Sequence, residues 1–264
     1  MLDGIYRLPG WLVVAIGLVL FSAAALAARG LAERRADAGR RARMATIAAP
    51  LTPAFAALFS VMIAFTVVAE AQHLRTVQSL ANDEAAAAAR LAWAATASVP
   101  ERARIQSDLA EYLDAVIAVD WGDRDESGPT PARLARATQR LETAARGAAR
   151  GLTSPEAAET LSALDAVTTL RRQLVAESSR TLPAPYLLVL LLTGLALVVN
   201  VSVLTLGAGR RALWLIPGIV VVVVAALSLL VGISAPLSGP LQLSPTAIER
   251  VAIDLRAGLF RLAP

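Results

Sequence analysis

The sequence predicts an all-α membrane protein: four transmembrane helices, a helical bundle inserted between the second and third, and a C-terminal amphipathic helix. Three observations predict it. Four uncharged runs, Leu8 to Ala28, Met44 to Ala69, Thr181 to Gly209 and Ala212 to about Ile233, each meet the roughly 20-residue length of a membrane span. The polar block between the second and third shows apolar residues at helical spacing and no two-residue alternation. Hydrophobic residues make up 56% of the chain at a mean hydropathy of +0.58, above the ~45–50% of soluble domains, which weights the reading towards lipid.

The expected organisation has four parts. Residues 1–70 form a transmembrane hairpin with spans at about 9–28 and 52–70, joined by an Arg-rich loop over 29–43. Residues 71–182 form a polar four-helix region continuous with the second span, and residues 183–233 form a second hairpin. Residues 234–264 hold a Pro/Gly break and the amphipathic helix.

The first span follows a nearly neutral start and carries its charge after the apolar run, the reverse of a secretory signal, so it is expected as a retained anchor. The loop after it has six Arg against Glu33 and Asp37. The other short loop, 207–211, is also basic. Short Arg-rich loops stay in the cytoplasm, so both give one orientation in a bacterial inner membrane, with the termini and 71–182 extracytoplasmic. The cluster can also bind lipid headgroups.

Nothing breaks the helix after Glu70 until Pro100, and the strong helix formers from Ala71 to Ala97 predict one rod from about Thr52, roughly 66 Å long at ~1.5 Å per residue. Pro100 opens the next helix, with Ile105, Leu109, Tyr112, Leu113, Val116 and Ile117 in a stripe. Thr130-Pro131 caps a third, carrying Leu134, Leu141, Ala145, Ala148 and Leu152. Ser154-Pro155-Glu156 caps a fourth, with Leu161, Leu164, Val167, Leu170 and Leu174. Ser244-Pro245 caps the last, with Ile248, Val251, Leu255 and Leu259 on one side. That helix either lies in the membrane interface or docks on the bundle, and docking is favoured.

Chemistry-bearing patterns are sparse. There is no cysteine and His73 is the one histidine, so no Cys/His zinc site or triad assembles within a chain. No phosphate-binding glycine loop occurs. No catalytic, cofactor or metal residue is assigned, and an enzyme is not expected. All 25 basic residues are Arg, and the basic balance comes mainly from those clustered beside the membrane, so membrane lipid is the expected partner and nucleic acid is not. Asp83-Glu84 reads as a solvated pair, and Asp123, Asp125 and Glu126 as an exposed turn without EF-hand spacing. Within the spans, Phe55, Phe59 and Ile63 recur every four residues and make a pore-lining stripe or ordinary packing. Glu70 at the edge is an ionisable candidate for a pore mouth or an interfacial charge, and Asn200 is a candidate interhelical contact.

Several segments together resemble the bestrophin-like domain family of bacterial membrane proteins. They are Ile63, Ala64 and Phe65 leading to Glu70, then Asn82, Asp83, Glu84 and Ala85, then Val99 to Ala103. Tyr112, Asp120-Trp121, Arg171-Arg172, Leu182-Pro183 and the run Pro236 to Pro245 complete the set. The resemblance implies a remote link to bestrophins, pentameric anion channels whose pore is lined by the second span, and hence a homo-oligomer conducting a small ion. Two features depart from it: Ala69 stands where the family often has Trp, and Ser234-Ala235 where an acid often precedes the proline. Bestrophins keep the segment between spans two and three in the cytoplasm, whereas the Arg count here places it outside. The alternative is a non-conducting membrane-anchored sensor or scaffold whose extracytoplasmic bundle takes an unknown ligand.

Overall fold

The computed structural model describes residues 10–35, 37–96, 100–122, 131–180, 183–207, 212, 214–233 and 243–260. Among them the regular structure is helical: α1 (Gly10–Arg35), α2 (Ala38–Ala94), α3 (Pro100–Asp120), α4 (Pro131–Ala149), α5 (Ser154–Ser178), α6 (Ala184–Leu204), α7 (Leu215–Ile233) and α8 (Thr246–Arg256), with a 3-10 turn at Thr205–Gly207. Four of these, α1, α2, α6 and α7, are long and apolar enough to cross a membrane. The chain divides into two compact units, with the boundary in α2 falling between His73 and Leu74.

α2 has 57 residues, about 85 Å at ~1.5 Å per residue, against a hydrocarbon layer of ~30 Å. Its charge-free part runs from Met44 to Ala69, the length of one span, and charged residues recur from Glu70 onward. The helix starts at Ala38 rather than Thr52 and runs through Pro50 and Pro53. In water, the residue before a proline usually ends a helix. In an apolar setting, neighbouring side chains satisfy the groups that proline frees, and the helix continues. The stretch 29–43, expected as a loop, is correspondingly two helix ends. α1 runs to Arg35, and Asp37 opens α2, its Oδ1 accepting from the Arg40 N–H at 2.8 Å.

The first unit is built on α1, the first part of α2, α6 and α7. Phe21, Phe59, Leu190, Leu197, Val198, Val220, Val223, Val224 and Leu230 make its core. Gly194 lets the helices close up: a Cβ there would stand 2.9 Å from Val223 Cγ1 and 3.3 Å from Phe59 Cε2. Small residues at such crossings are how helices associate in lipid, where no hydrophobic force drives them together.

The second unit gathers the rest of α2 with α3, α4, α5 and α8. Its core joins Leu91, Ile105, Leu109, Leu113, Val116, Leu141, Leu164, Val167 and Ile248. Surface ion pairs such as Arg140–Glu111 at 2.8 Å link α4 to α3, but exposed pairs contribute only ~0–1 kcal/mol, so the apolar core dominates. Three stripes differ from the sequence reading. On α4, Ala137 is buried and Leu134 half-buried. On α5, Leu161 is exposed, while Thr160, Ala163 and Arg171 are buried. On α8, Leu259 is 61% exposed and Phe260 takes the core position at 6%. The reason is local: α8 ends at Arg256, Gly258 adopts φ 73°, and the Leu259 N–H reaches back to Asp254 O at 3.1 Å. This left-handed glycine cap turns the chain, and the helical register lapses before Leu259.

Capping also shifts. Thr153, not Ser154, is the N-cap of α5, its N–H and Oγ1 both donating to Glu156 Oε2, at 3.3 and 2.8 Å. Those bonds, with the Arg102 contact, hold the Glu156 carboxyl below its ordinary pKa.

Candidate functional site

α2 presents two faces in the first unit. One carries Phe55, Phe59, Ile63, Thr66 and Glu70. Phe59 is 5% exposed and packs among Phe21 and Gly194; Phe55 and Ile63 are half-buried against the same core. Thr66 and Glu70 continue the buried line, with Thr66 Oγ1 donating to Met62 O at 2.7 Å. The stripe expected to line a pore therefore faces the protomer's own interior. Its four-residue spacing marked an apolar face without saying which neighbour that face meets. Another face carries Leu58, Val61, Phe65 and Val68, all exposed, with Phe65 at 73%.

Asn200 on α6 ties the proline segment of α2 in place. Its amide NH2 donates to Ala48 O at 2.9 Å and to Thr52 Oγ1 at 2.8 Å. Thr52 Oγ1 in turn donates to Ala48 O at 3.1 Å. Ala48 and Thr52 flank Pro50, and neither Pro50 nor Pro53 has an N–H to donate to the preceding turn. Beside it, a groove of about 660 Å³ opens between α1, the start of α2 and the end of α6.

The densest chemistry lies in the second unit. Along α2, Val77, Ala81, Glu84, Ala88, Leu91 and Ala95 recur at three- and four-residue steps, and all are buried. Glu84 thus occupies a core position and is 0% exposed, whereas Asp83 beside it is exposed; the solvated pair holds for Asp83 only. Tyr112 on α3 donates its hydroxyl to Glu84 Oε1 at 2.5 Å. Arg171 on α5, 8% exposed, forks onto Asp120 of α3, with Nη1 to Oδ2 at 2.5 Å and Nη2 to Oδ1 at 2.9 Å. Its Nη1 also stands 3.9 Å from Glu84 Oε2, which accepts no hydrogen bond.

Two carboxylates thus share one guanidinium out of water. Burial pushes the Glu84 carboxyl above its ordinary pKa, against the opposing pull of Arg171 and the Tyr112 hydroxyl. Burial also raises the Tyr112 phenol, reinforced by Glu84. For Arg171, burial disfavours the charge, but the hydrogen bonds and charge of Asp120 outweigh it and raise its pKa. Such an arrangement can hold a proton or a charge out of water.

His73 is half-buried at the end of the first unit. The acidic turn with Asp123, Asp125 and Glu126 and the basic loop residues Arg210 and Arg211 lie outside the described residues. Among the described residues no group of three His, Cys, Asp or Glu is placed to hold a metal. Trp121 Nε1 donates to Leu243 O at 2.7 Å, pinning the stretch that leads into α8 to the end of α3.

Compared with known families, the chain matches the model for the bestrophin-like domain over residues 19–248. No curated protein and no solved structure matched the chain. Glu84, Tyr112, Asp120 and Arg171, all among the residues that carried the sequence resemblance, are the four members of the buried network.

Proposed function

We propose, since the chain belongs to the bestrophin-like domain family, that several copies assemble in the bacterial inner membrane and pass a small ion along a path bordered by α2. The observation that carries this is the outward face of α2. Leu58, Val61, Phe65 and Val68 stand exposed along a charge-free stretch, while the protomer's own helices cover only the opposite side. Copies arranged with α2 towards a shared axis would turn that face inward, and rings of Phe65 would form an apolar constriction that gates by dewetting. This replaces Phe55, Phe59 and Ile63 as the lining set, and leaves Glu70 on the inward side of α2.

Planar bilayers test it. Purified oligomer should give discrete currents, and Phe65→Ala, by widening and wetting the constriction, should change single-channel conductance by severalfold. An oligomer silent at every voltage would move the chain to the sensor or scaffold reading.

The same proposal places the Arg-rich ends of α1 and α2 in the cytoplasm and residues 71–182 outside. Because the chain has no cysteine, Gly39→Cys and Gln139→Cys each give a single thiol. In intact cells an impermeant maleimide should label Gln139→Cys and spare Gly39→Cys. The reverse pattern would put the second unit in the cytoplasm, as in bestrophins.

A further inference from the structure

We propose that the groove between α1, α2 and α6 is a binding site for one phospholipid with an anionic headgroup, its acyl chain in the groove and its phosphate on Arg35. The groove exists because small residues line three helices at one level: Ala28 and Ala32 on α1, Ala48 on α2 and Ala196 on α6. None of these reaches far enough to fill the gap. Its volume of about 660 Å³ lies within the ~300–1,000 Å³ of ligand sites. Leu31, Ile47 and Leu51 along its border are exposed, so it is open from the side.

The lining chemistry selects the occupant. Arg35 and Asn200 are its polar members, and the amide NH2 of Asn200 is already engaged by Ala48 and Thr52. What is left is an apolar trough with one cation. Arg35 is the arginine that lines the trough, which Arg34 and Arg43 do not, and among the described residues its guanidinium has no partner. Arg29 pairs with Glu33 at 2.8 Å, while Arg40 and Arg41 donate to the carbonyls of Arg35 and Glu33. Among the described residues, no carboxylate pairs with Arg35. A free guanidinium beside a trough for hydrocarbon matches a phosphodiester on an acyl chain.

Moving an acyl chain from the bilayer into the groove gains little, since lipid tails are as apolar as the trough. Preference between headgroups therefore rests on Arg35. One arginine near an anionic surface contributes ~1 kcal/mol, which is about fivefold.

The test is native mass spectrometry of delipidated protein in detergent with phosphatidylglycerol and phosphatidylcholine of identical chains. The wild type should retain phosphatidylglycerol about fivefold over phosphatidylcholine. Arg35→Gln should bring that ratio close to one while leaving phosphatidylcholine binding unchanged. Ala196→Trp and, from another helix, Ala32→Phe fill the trough and should lose both lipids, with helical content and elution volume unchanged. Three results would overturn the site. These are a headgroup preference that survives both filling variants, competition by millimolar inorganic phosphate, and loss of oligomer in the filling variants with lipid binding intact. The first would mean diffuse attraction to the arginine cluster, the second a free-anion site, and the third a contact with another copy.

Discussion

Arg171→Ala is expected to destabilise the second unit by about 3–5 kcal/mol, the cost of stranding buried charge. Removing the guanidinium leaves Asp120 and Glu84 facing each other away from water, with the Tyr112 hydroxyl as the remaining donor to Glu84. The readout is hydrogen exchange of α3 and α5 amides together with the apparent melting midpoint in detergent. Arg171→Lys should recover part of the loss, because an ammonium keeps the charge but not the two-pronged fit to Asp120. The triple variant Glu84→Gln, Asp120→Asn, Arg171→Leu should recover most of it, since a buried ion network replaced as a set is often neutral for stability. A loss under about 1 kcal/mol in Arg171→Ala would mean that water reaches the network, and the argument from burial would fail.

The same network sets a pH dependence whose sign follows from Glu84. Its folded pKa is raised, so the folded state holds the proton more tightly than the unfolded chain does. Stability from that proton is fully present below the unfolded carboxylate pKa and is lost as pH rises through the folded value. Other groups bend the curve: burial also raises Asp108, while Glu156 is lowered and acts in the opposite sense. The informative quantity is therefore the difference between Glu84→Gln and wild type. The amide stays neutral and offers Tyr112 an acceptor, so the variant should match the wild type at acidic pH and exceed it as pH rises above the unfolded carboxylate value. Parallel curves would show that folding does not shift the Glu84 carboxyl.

Much of this architecture is readable without coordinates, and the misses have physical causes. Charge-free length located the four membrane-length helices, because lipid imposes it on any span. The α3 stripe was legible because Ile105, Leu109, Leu113 and Val116 are large and apolar at unbroken spacing. Glu84 and Arg171 were missed because each is a charge at a core position. Arg171 falls between Val167 and Leu174 at the steps of the α5 stripe, as Glu84 falls between Ala81 and Ala88. A charge keeping the phase of an apolar stripe was the available signal, and pairing two such positions across helices was what the sequence did not supply. α2 continues through Pro50 and Pro53 where Asn200, some 150 residues away, bonds to Ala48 and Thr52, and local rules, blind to that contact, began the helix too late in the chain. The docking groove arises from what alanines leave empty, and absent volume has no periodicity to read.

Phe59→Ala separates the two faces of α2 most sharply. Lipid is as apolar as the core of the first unit, so the transfer part of the usual cost vanishes and the cavity part is left. A void on the order of 100 Å³ at ~24 cal/mol per Å³ costs about 2.4 kcal/mol. Collapse is hindered because Phe21, Val223 and the Gly194 backbone already meet at that point. Phe65→Ala deletes the same ring two turns on, from a side chain that touches little of its own protomer. It should leave the melting midpoint of dissociated protomers nearly unchanged while altering conductance. Phe59→Ala should lower that midpoint by several degrees, with the conductance of surviving channels preserved. If the roles were exchanged, with Phe59→Ala altering current at unchanged stability, the inward stripe would line the path, and the orientation of α2 inferred from its exposed face would be reversed.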